Sequence, residues 1–187
     1  MNIVYGGSFN PPTKAHVGIV NYLLNVYHNA NVIVVPVGNT YNKSSLVSFK
    51  HRYKMLGDIF DSNKRVIVSD IENVDQYKGT FNTLKALNEM YKDLLLVVGS
   101  DNLYELDKWI EYENLLKNYP LIIIKRNKDD VDLLMDKYKH LHPNYQVIEY
   151  NNNISSTLIR NNIEKNKDSL EEVTYEYIIK NKLYEVK

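Results

Sequence analysis

The chain has 187 residues, no cysteine, and 23 basic against 23 acidic side chains, for a formal net charge of zero. That balance leaves no net field to gather nucleic acid or a membrane surface, and the missing thiols exclude disulfides and thiolate metal sites while fitting a reducing, cytoplasmic setting. No run reaches the roughly 20 apolar residues of a membrane span, and Gly6-Gly7 interrupt the N-terminal apolar run before it could serve as a signal peptide.

The length suits one α/β domain with a sizeable core. Its first strand is the short apolar run Ile3 to Tyr5, broken at once by Gly6-Gly7-Ser8. Two glycines directly after a strand let the backbone take positive φ and come close to a ligand. Phe9-Asn10-Pro11-Pro12 then forms an extended turn, since each proline fixes φ and biases its predecessor away from helix. Thr13 opens an apolar-periodic segment with Val17, Ile19, Val20, Leu23 and Leu24, which predicts a helix over about 14–28. Thr13 and His16 share one face of its first turn, where free N–H groups and the positive end of the helix dipole make a ready anion site. Neither the Rossmann G-x-G-x-x-G nor the Walker G-x-x-x-x-G-K-[ST] pattern is met here.

Val32 to Pro36 is a β-branched run without alternation, as in a strand buried on both faces. A polar loop from Val37 to Ser45 carries Gly38 and Lys43, and a helix over about 48–60 carries His51 and Arg52. Val66 to Val68 is a third strand, the polar stretch Ser69 to Gly79 follows, and a helix spans about 80–91. Leu94 to Val98 is a fourth strand ending at Gly99-Ser100-Asp101. A short helical region with Lys108-Trp109 leads to another at 111–117, then to the strand Leu121 to Ile124, closed by Lys125-Arg126. A helix near 129–139 and a strand near 146–149 precede Ile154-Ser-Ser-Thr-Leu-Ile-Arg160 and a terminal helix over about 171–180. Acidic residues at 129, 130 and 132 read as charge at a helix N-terminus, and His28, His140 and His142 have no partner at metal-ligand spacing. The 16 tyrosines are spread along the whole chain, so they read as compositional bias rather than as a stacking surface.

Strands alternating with helices from end to end predict a Rossmann-like, doubly wound, mainly parallel sheet in a single domain, residues 1–187. Ligands of such sheets lie beyond the carboxyl ends of the strands, where Gly6-Gly7, Pro36-Val37, Gly99–Asp101 and Lys125-Arg126 all fall. In the 154–160 segment the hydroxyls of Ser155, Ser156 and Thr157 are candidate caps, and Arg160, one turn beyond Thr157, can add a forked cationic donor to a phosphate.

Thr13-Lys14-Ala15-His16 resembles the H-x-G-H or T-x-G-H motif of a nucleotidyltransferase superfamily. The opening Gly6-Gly7-Ser8-Phe9-Asn10-Pro11-Pro12 resembles that of the nicotinate/nicotinamide-mononucleotide adenylyltransferases, and residues 154–160 resemble their I-S-S-T-x-I-R segment. Two positions depart from the pattern: Thr13 stands where many bacterial members carry a first histidine, and Ala15 replaces the usual glycine. The resemblance implies adenylyl transfer from ATP to nicotinate mononucleotide, with the nicotinamide form as a second acceptor, giving the dinucleotide of NAD biosynthesis and pyrophosphate. It implies a catalytic trio of His16, Thr13 and Arg160. It implies ATP contacts from Gly6, Gly7, Ser8, Phe9, Thr13, His16, Gly99, Asp101, Ile154, Ser155, Ser156, Thr157 and Arg160.

For the acceptor the resemblance implies Lys43 and Arg52 near the mononucleotide phosphate, Lys108 and Trp109 with the tryptophan stacked on the pyridine, Thr80 and Thr83 at its substituent, and Arg126. A tyrosine precedes Thr80 in many bacterial members; Gly79 stands there and is expected to widen the pocket. Mg²⁺ is expected to ride on the ATP oxygens, no resident metal site is expected, and a homo-oligomer stays open. Two other readings stay open as well: a pantetheine-phosphate adenylyltransferase, and a nucleotide-binding sensor without turnover.

Overall fold

The apolar runs become six strands: β1 (Asn2–Gly7), β2 (Asn31–Pro36), β3 (Val66–Val68), β4 (Leu94–Gly99), β5 (Leu121–Lys125) and β6 (Tyr145–Glu149). This computed structural model describes residues 1–40, 46–125, 129–150 and 154–184. The strands form one sheet in the order β3-β2-β1-β4-β5-β6, and every neighbouring pair is parallel. Among the described residues seven α-helices connect or follow them: α1 (Lys14–Val26), α2 (Phe49–Phe60), α3 (Thr80–Met90), α4 (Tyr112–Asn118), α5 (Val131–Asp136), α6 (Ser156–Asn161) and α7 (Glu172–Lys180).

Alternate residues of each strand feed opposite faces. On one side Val4, Ile33, Val35, Leu96, Val98 and Ile123 pack with Leu84 and Leu87 of α3 and Leu115 of α4. On the other, Ile3, Tyr5, Val34, Val97, Ile122 and Ile124 pack with Ile19, Val20 and Leu23 of α1 and Leu56 of α2. Both faces are covered, and so the central strands read as continuous β-branched runs. A third cluster joins Met55 of α2 to Ile159 of α6, Leu170, and Ile178 of α7. It packs the C-terminal helices against α2.

The strand order reverses between β1 and β4, which creates the crevice where ligands of such sheets bind. Pairing of β1 with β4 ends at Tyr5 and Val97, whereas pairing with β2 runs on to Gly7 and Pro36. Beyond Tyr5, therefore, β1 leans on one neighbour only, and the sheet opens at its carboxyl end.

Most predicted boundaries lie within two residues of those found; one helix does not. The segment 129–139 divides into α5 and a separate 3₁₀ turn, Lys139–Leu141. Asp130 accepts from Leu133 N (3.1 Å) and starts the helix at Val131, while Tyr138, 1% exposed, donates to the Leu103 carbonyl (3.0 Å). Those tertiary contacts override the longer helical pattern. The short helical region with Lys108-Trp109 is a 3₁₀ segment, Ser100–Lys108, with Trp109 as its C-cap.

Candidate active site

Gly6 and Gly7 continue β1 with strand pairing to Val35 and Pro36. Positive φ, expected at the glycines, falls instead on Phe9 (φ 46°). A phenylalanine rarely adopts that conformation. Here its ring is buried edge-on to Tyr5 (centroids 5.4 Å apart) and His16 (5.0 Å), and that packing offsets the backbone cost. Gly7 serves the same packing, since a Cβ there would lie 3.1 Å from the Phe9 ring.

Thr13 caps α1 and is almost fully buried. Its backbone N–H donates to His16 Nδ1 (3.0 Å), and its Oγ1 lies 2.9 Å from the same nitrogen. His16 thus occupies the glutamate position of a capping box. With Nδ1 accepting from a main-chain amide, the neutral imidazole carries its proton on Nε2. Threonine in place of a first histidine is therefore a coherent partner, because it orients the second histidine from both its amide and its hydroxyl.

The second motif docks on the first. Ser156 Oγ donates to the Pro11 carbonyl (3.1 Å), and Arg160 donates to the Asn10 carbonyl (2.7 Å) and to Thr157 Oγ1 (3.2 Å). Ser155 caps α6, Thr157 is exposed, and Ile154 is half-buried beside the Met55 cluster. Upstream, Tyr150 Oη fills a notch in α1 that only glycine allows: a Cβ on Gly18 would lie 1.8 Å from it. Gly99 ends β4, and Asp101 is exposed in the 3₁₀ segment that follows. Fully buried Ser100 donates to Asp129 (2.6 Å), which also receives Tyr104 (3.1 Å), so the turn is tied to the chain beyond β5.

In the region where the resemblance implies the acceptor, Thr80 Oγ1 lies 3.0 Å from Tyr77 Oη, and Thr83 donates to Glu72 (2.8 Å). Glu72 is buried, which pushes its carboxyl above the usual carboxylate range, while the Thr83 hydroxyl pulls it partly back. Trp109 is half-buried against the α3-side core together with Phe81 and Tyr112. Gly79 has φ 92°, and a Cβ on it would lie 2.7 Å from the Ile110 side chain. The space expected to widen the pocket is therefore filled by Ile110, and glycine is there because α3 docks closely on the segment after Trp109.

One further expectation is corrected. Arg52 is 0% exposed, and its guanidinium donates to the carbonyls of Val47 (2.9 Å), Ser8 (2.9 Å) and Val37 (2.7 Å). It ties the loop after β1 to both ends of the single connection between β2 and α2 rather than facing a mononucleotide phosphate. Lys108 is exposed and pairs with Glu105. Lys43 and Arg126 lie outside the described residues. Among the described residues, no group of three or more His, Asp or Glu is placed to hold a metal ion, and no helix is long and apolar enough to cross a membrane. The tertiary roles of Asn10 and Asp129 escaped sequence reading because their partners Tyr184 and Ser100 lie far along the chain, and Glu72 escaped because no motif marks its pairing with Thr83.

A cytidylyltransferase-like family model matches residues 4–162. A probable nicotinate-nucleotide adenylyltransferase of Acholeplasma laidlawii is 38% identical over 186 residues, covering 99% of this chain and 98% of the relative. The solved Plasmodium falciparum nicotinic acid mononucleotide adenylyltransferase complexed with NaAD superposes with a TM-score of 0.80 at 28% identity, over 98% of this chain and 97% of that one. A complex of the same Plasmodium protein with APC gives 0.77 at 27% identity, over 98% and 96%. The chain belongs to the cytidylyltransferase-like family and, within it, to the nicotinate-nucleotide adenylyltransferases.

Proposed function

We propose that the chain, acting as one domain over residues 1–187 in the cytoplasm, transfers the adenylyl group of ATP to nicotinate mononucleotide. The observation that carries this reading is the docking of the second motif on the first: Ser156 and Arg160 on the carbonyls of Pro11 and Asn10, at the open end of the sheet. Hydroxyls, a guanidinium and the His16 imidazole converge there on one small region. The Plasmodium relative was solved with NaAD, the dinucleotide that this reaction would release.

The nucleophile is a phosphate oxygen of the acceptor, already anionic at neutral pH, so no side chain need remove a proton. It attacks the α-phosphorus of ATP; the bond to the β-phosphate oxygen breaks, and pyrophosphate leaves. The protein acts by alignment and charge neutralisation. His16 presents Nε2–H to the phosphates, with Nδ1 held by Thr13. Arg160 is anchored through two of its N–H groups and directs the rest of its fork toward the departing pyrophosphate. Mg²⁺ enters with ATP as part of the substrate. Trp109 offers an aromatic face to the pyridine ring, with Thr80 and Thr83 at the first turn of α3 beside its substituent.

Pyrophosphate release, followed with ATP-Mg and each of three acceptors in turn, tests this. Nicotinate mononucleotide should give the highest kcat/KM, nicotinamide mononucleotide a lower but measurable one, and 4′-phosphopantetheine none. A preference for the amide of about tenfold or more, ~1.4 kcal/mol in the transition state, would overturn the acid assignment. Turnover only with phosphopantetheine would overturn the acceptor class, and none with any acceptor would leave a nucleotide sensor.

A further inference from the structure

The last described residue, Tyr184, reaches back to the first motif. Lys182 (φ 51°) and Tyr184 (φ 62°) both take left-handed backbone, which reverses the chain after α7. The turn carries the Tyr184 hydroxyl onto Asn10 Oδ1, 2.8 Å away, and the Val47 N–H donates to the same oxygen (3.2 Å). Asn10 is 2% exposed, and its carbonyl is the acceptor of the Arg160 guanidinium. Arg160 and Tyr184 also share a wall of a cleft of 410 Å³ with Ile178, Lys182 and Leu183, so they are neighbours as well as partners of one residue.

We propose that Tyr184 is a positioning residue for adenylyl transfer: through Asn10 it fixes the carbonyl that aims Arg160 at the ATP phosphates. Two donors on Oδ1 set the amide of Asn10 in one orientation. That in turn sets the peptide that bounds the turn before Thr13. Burial raises the phenol far above neutral, and the nearby cations Arg52 and Arg160 pull it down by less, so the hydroxyl stays protonated and remains a donor. The helix that carries it is held from the side as well, by Tyr177 Oη at 3.0 Å from His51 Nδ1. The C-terminal turn thus acts as a strap across the phosphate end, although no sequence motif marks it.

This inference rests on the reading of Arg160 as an ATP ligand, and its test separates the two. Steady-state kinetics on the full chain with ATP-Mg and nicotinate mononucleotide would compare wild type, Tyr184→Phe, Arg160→Lys and the double variant, with melting temperatures alongside. Tyr184→Phe should raise KM for ATP about tenfold, the value of one well-made hydrogen bond, and leave that for the acceptor within about twofold. In the Arg160→Lys background the same change should add less than about twofold, because the group it aims has lost its fork. An ATP KM unchanged in Tyr184→Phe while Arg160→Lys is impaired would overturn the strap and leave the phosphate role standing. Wild-type ATP kinetics in Arg160→Lys would overturn both. Equal rises for the two substrates, or full additivity in the double variant, would reduce Tyr184 to a packing residue.

Discussion

At the phosphate end, residues 145 and 150 positions apart are joined by two hydrogen bonds, Ser156 to Pro11 and Arg160 to Asn10. At the acceptor end, everything from Glu72 to Trp109 comes from one stretch of chain, and its polar groups turn toward each other: Thr83 to Glu72 and Tyr77 to Thr80. The first region is assembled from distant but individually recognisable pieces. The second is local, and the partners of its side chains are fixed by burial. Substitutions at the phosphate end should therefore cost mostly rate, and those in the buried supports mostly stability.

His16→Ala should show the largest loss of rate. Removing one preorganised donor to developing charge typically lowers kcat by about 10²–10³. The variant also leaves the Thr13 amide without its imidazole acceptor, so a small fall in melting temperature is expected, equivalent to about 1 kcal/mol of lost capping. More than about a third of wild-type kcat would remove His16 from the chemistry.

Arg52→Lys should sharpen the contrast from the other side. A lysine can satisfy at most part of what the fork gives the buried carbonyls of Ser8, Val37 and Val47. Leaving one or two of them unpaired should cost about 2–4 kcal/mol, or roughly 4–16 °C in melting temperature for a chain of this size. If the melting temperature holds and only KM for the acceptor rises, Arg52 faces the mononucleotide after all.

These two residues also show what the sequence reveals. The strands were legible because β2, β4 and β5 are β-branched or leucine runs buried on both faces, and α1 because its apolar spacing follows directly on Thr13. His16 was legible because its partner Thr13 lies three residues away and both belong to one contiguous motif. Arg52 was misplaced because its carbonyl partners lie on two separate loops, after β1 and between β2 and α2, which no local pattern announces. The left-handed Phe9 was missed for a related reason: a ring clamped between Tyr5 and His16 outweighs the preference for glycine. Gly79 was read as an empty place, although Ile110 occupies the space.

The smallest effect should come from Glu72→Gln, and its size depends on pH. Burial raises the folded-state pKa of Glu72 above its unfolded value, so its contribution to stability is fully present below the unfolded carboxyl pKa and lost as pH rises through the folded one. Glutamine keeps an acceptor for Thr83 without the charge. It should therefore be more stable than wild type near neutral pH, by at most about 1 kcal/mol or ~2–4 °C, with the gain shrinking toward pH 4. Melting curves across that range check it; a gain that grows on acidification contradicts the assignment.

Direct transfer between two substrates held by distant motifs is tested most directly by following the α-phosphorus itself. In a single turnover with ATP labelled at that atom, nicotinate mononucleotide and Mg²⁺, the label should pass to the dinucleotide in step with pyrophosphate release. Acid-quenched protein should carry none of it at any time. Label trapped on the protein before the dinucleotide forms would contradict the account, because it would demand a covalent nucleophile where the proposed roles of His16, Thr13 and Arg160 are those of donors and positioners.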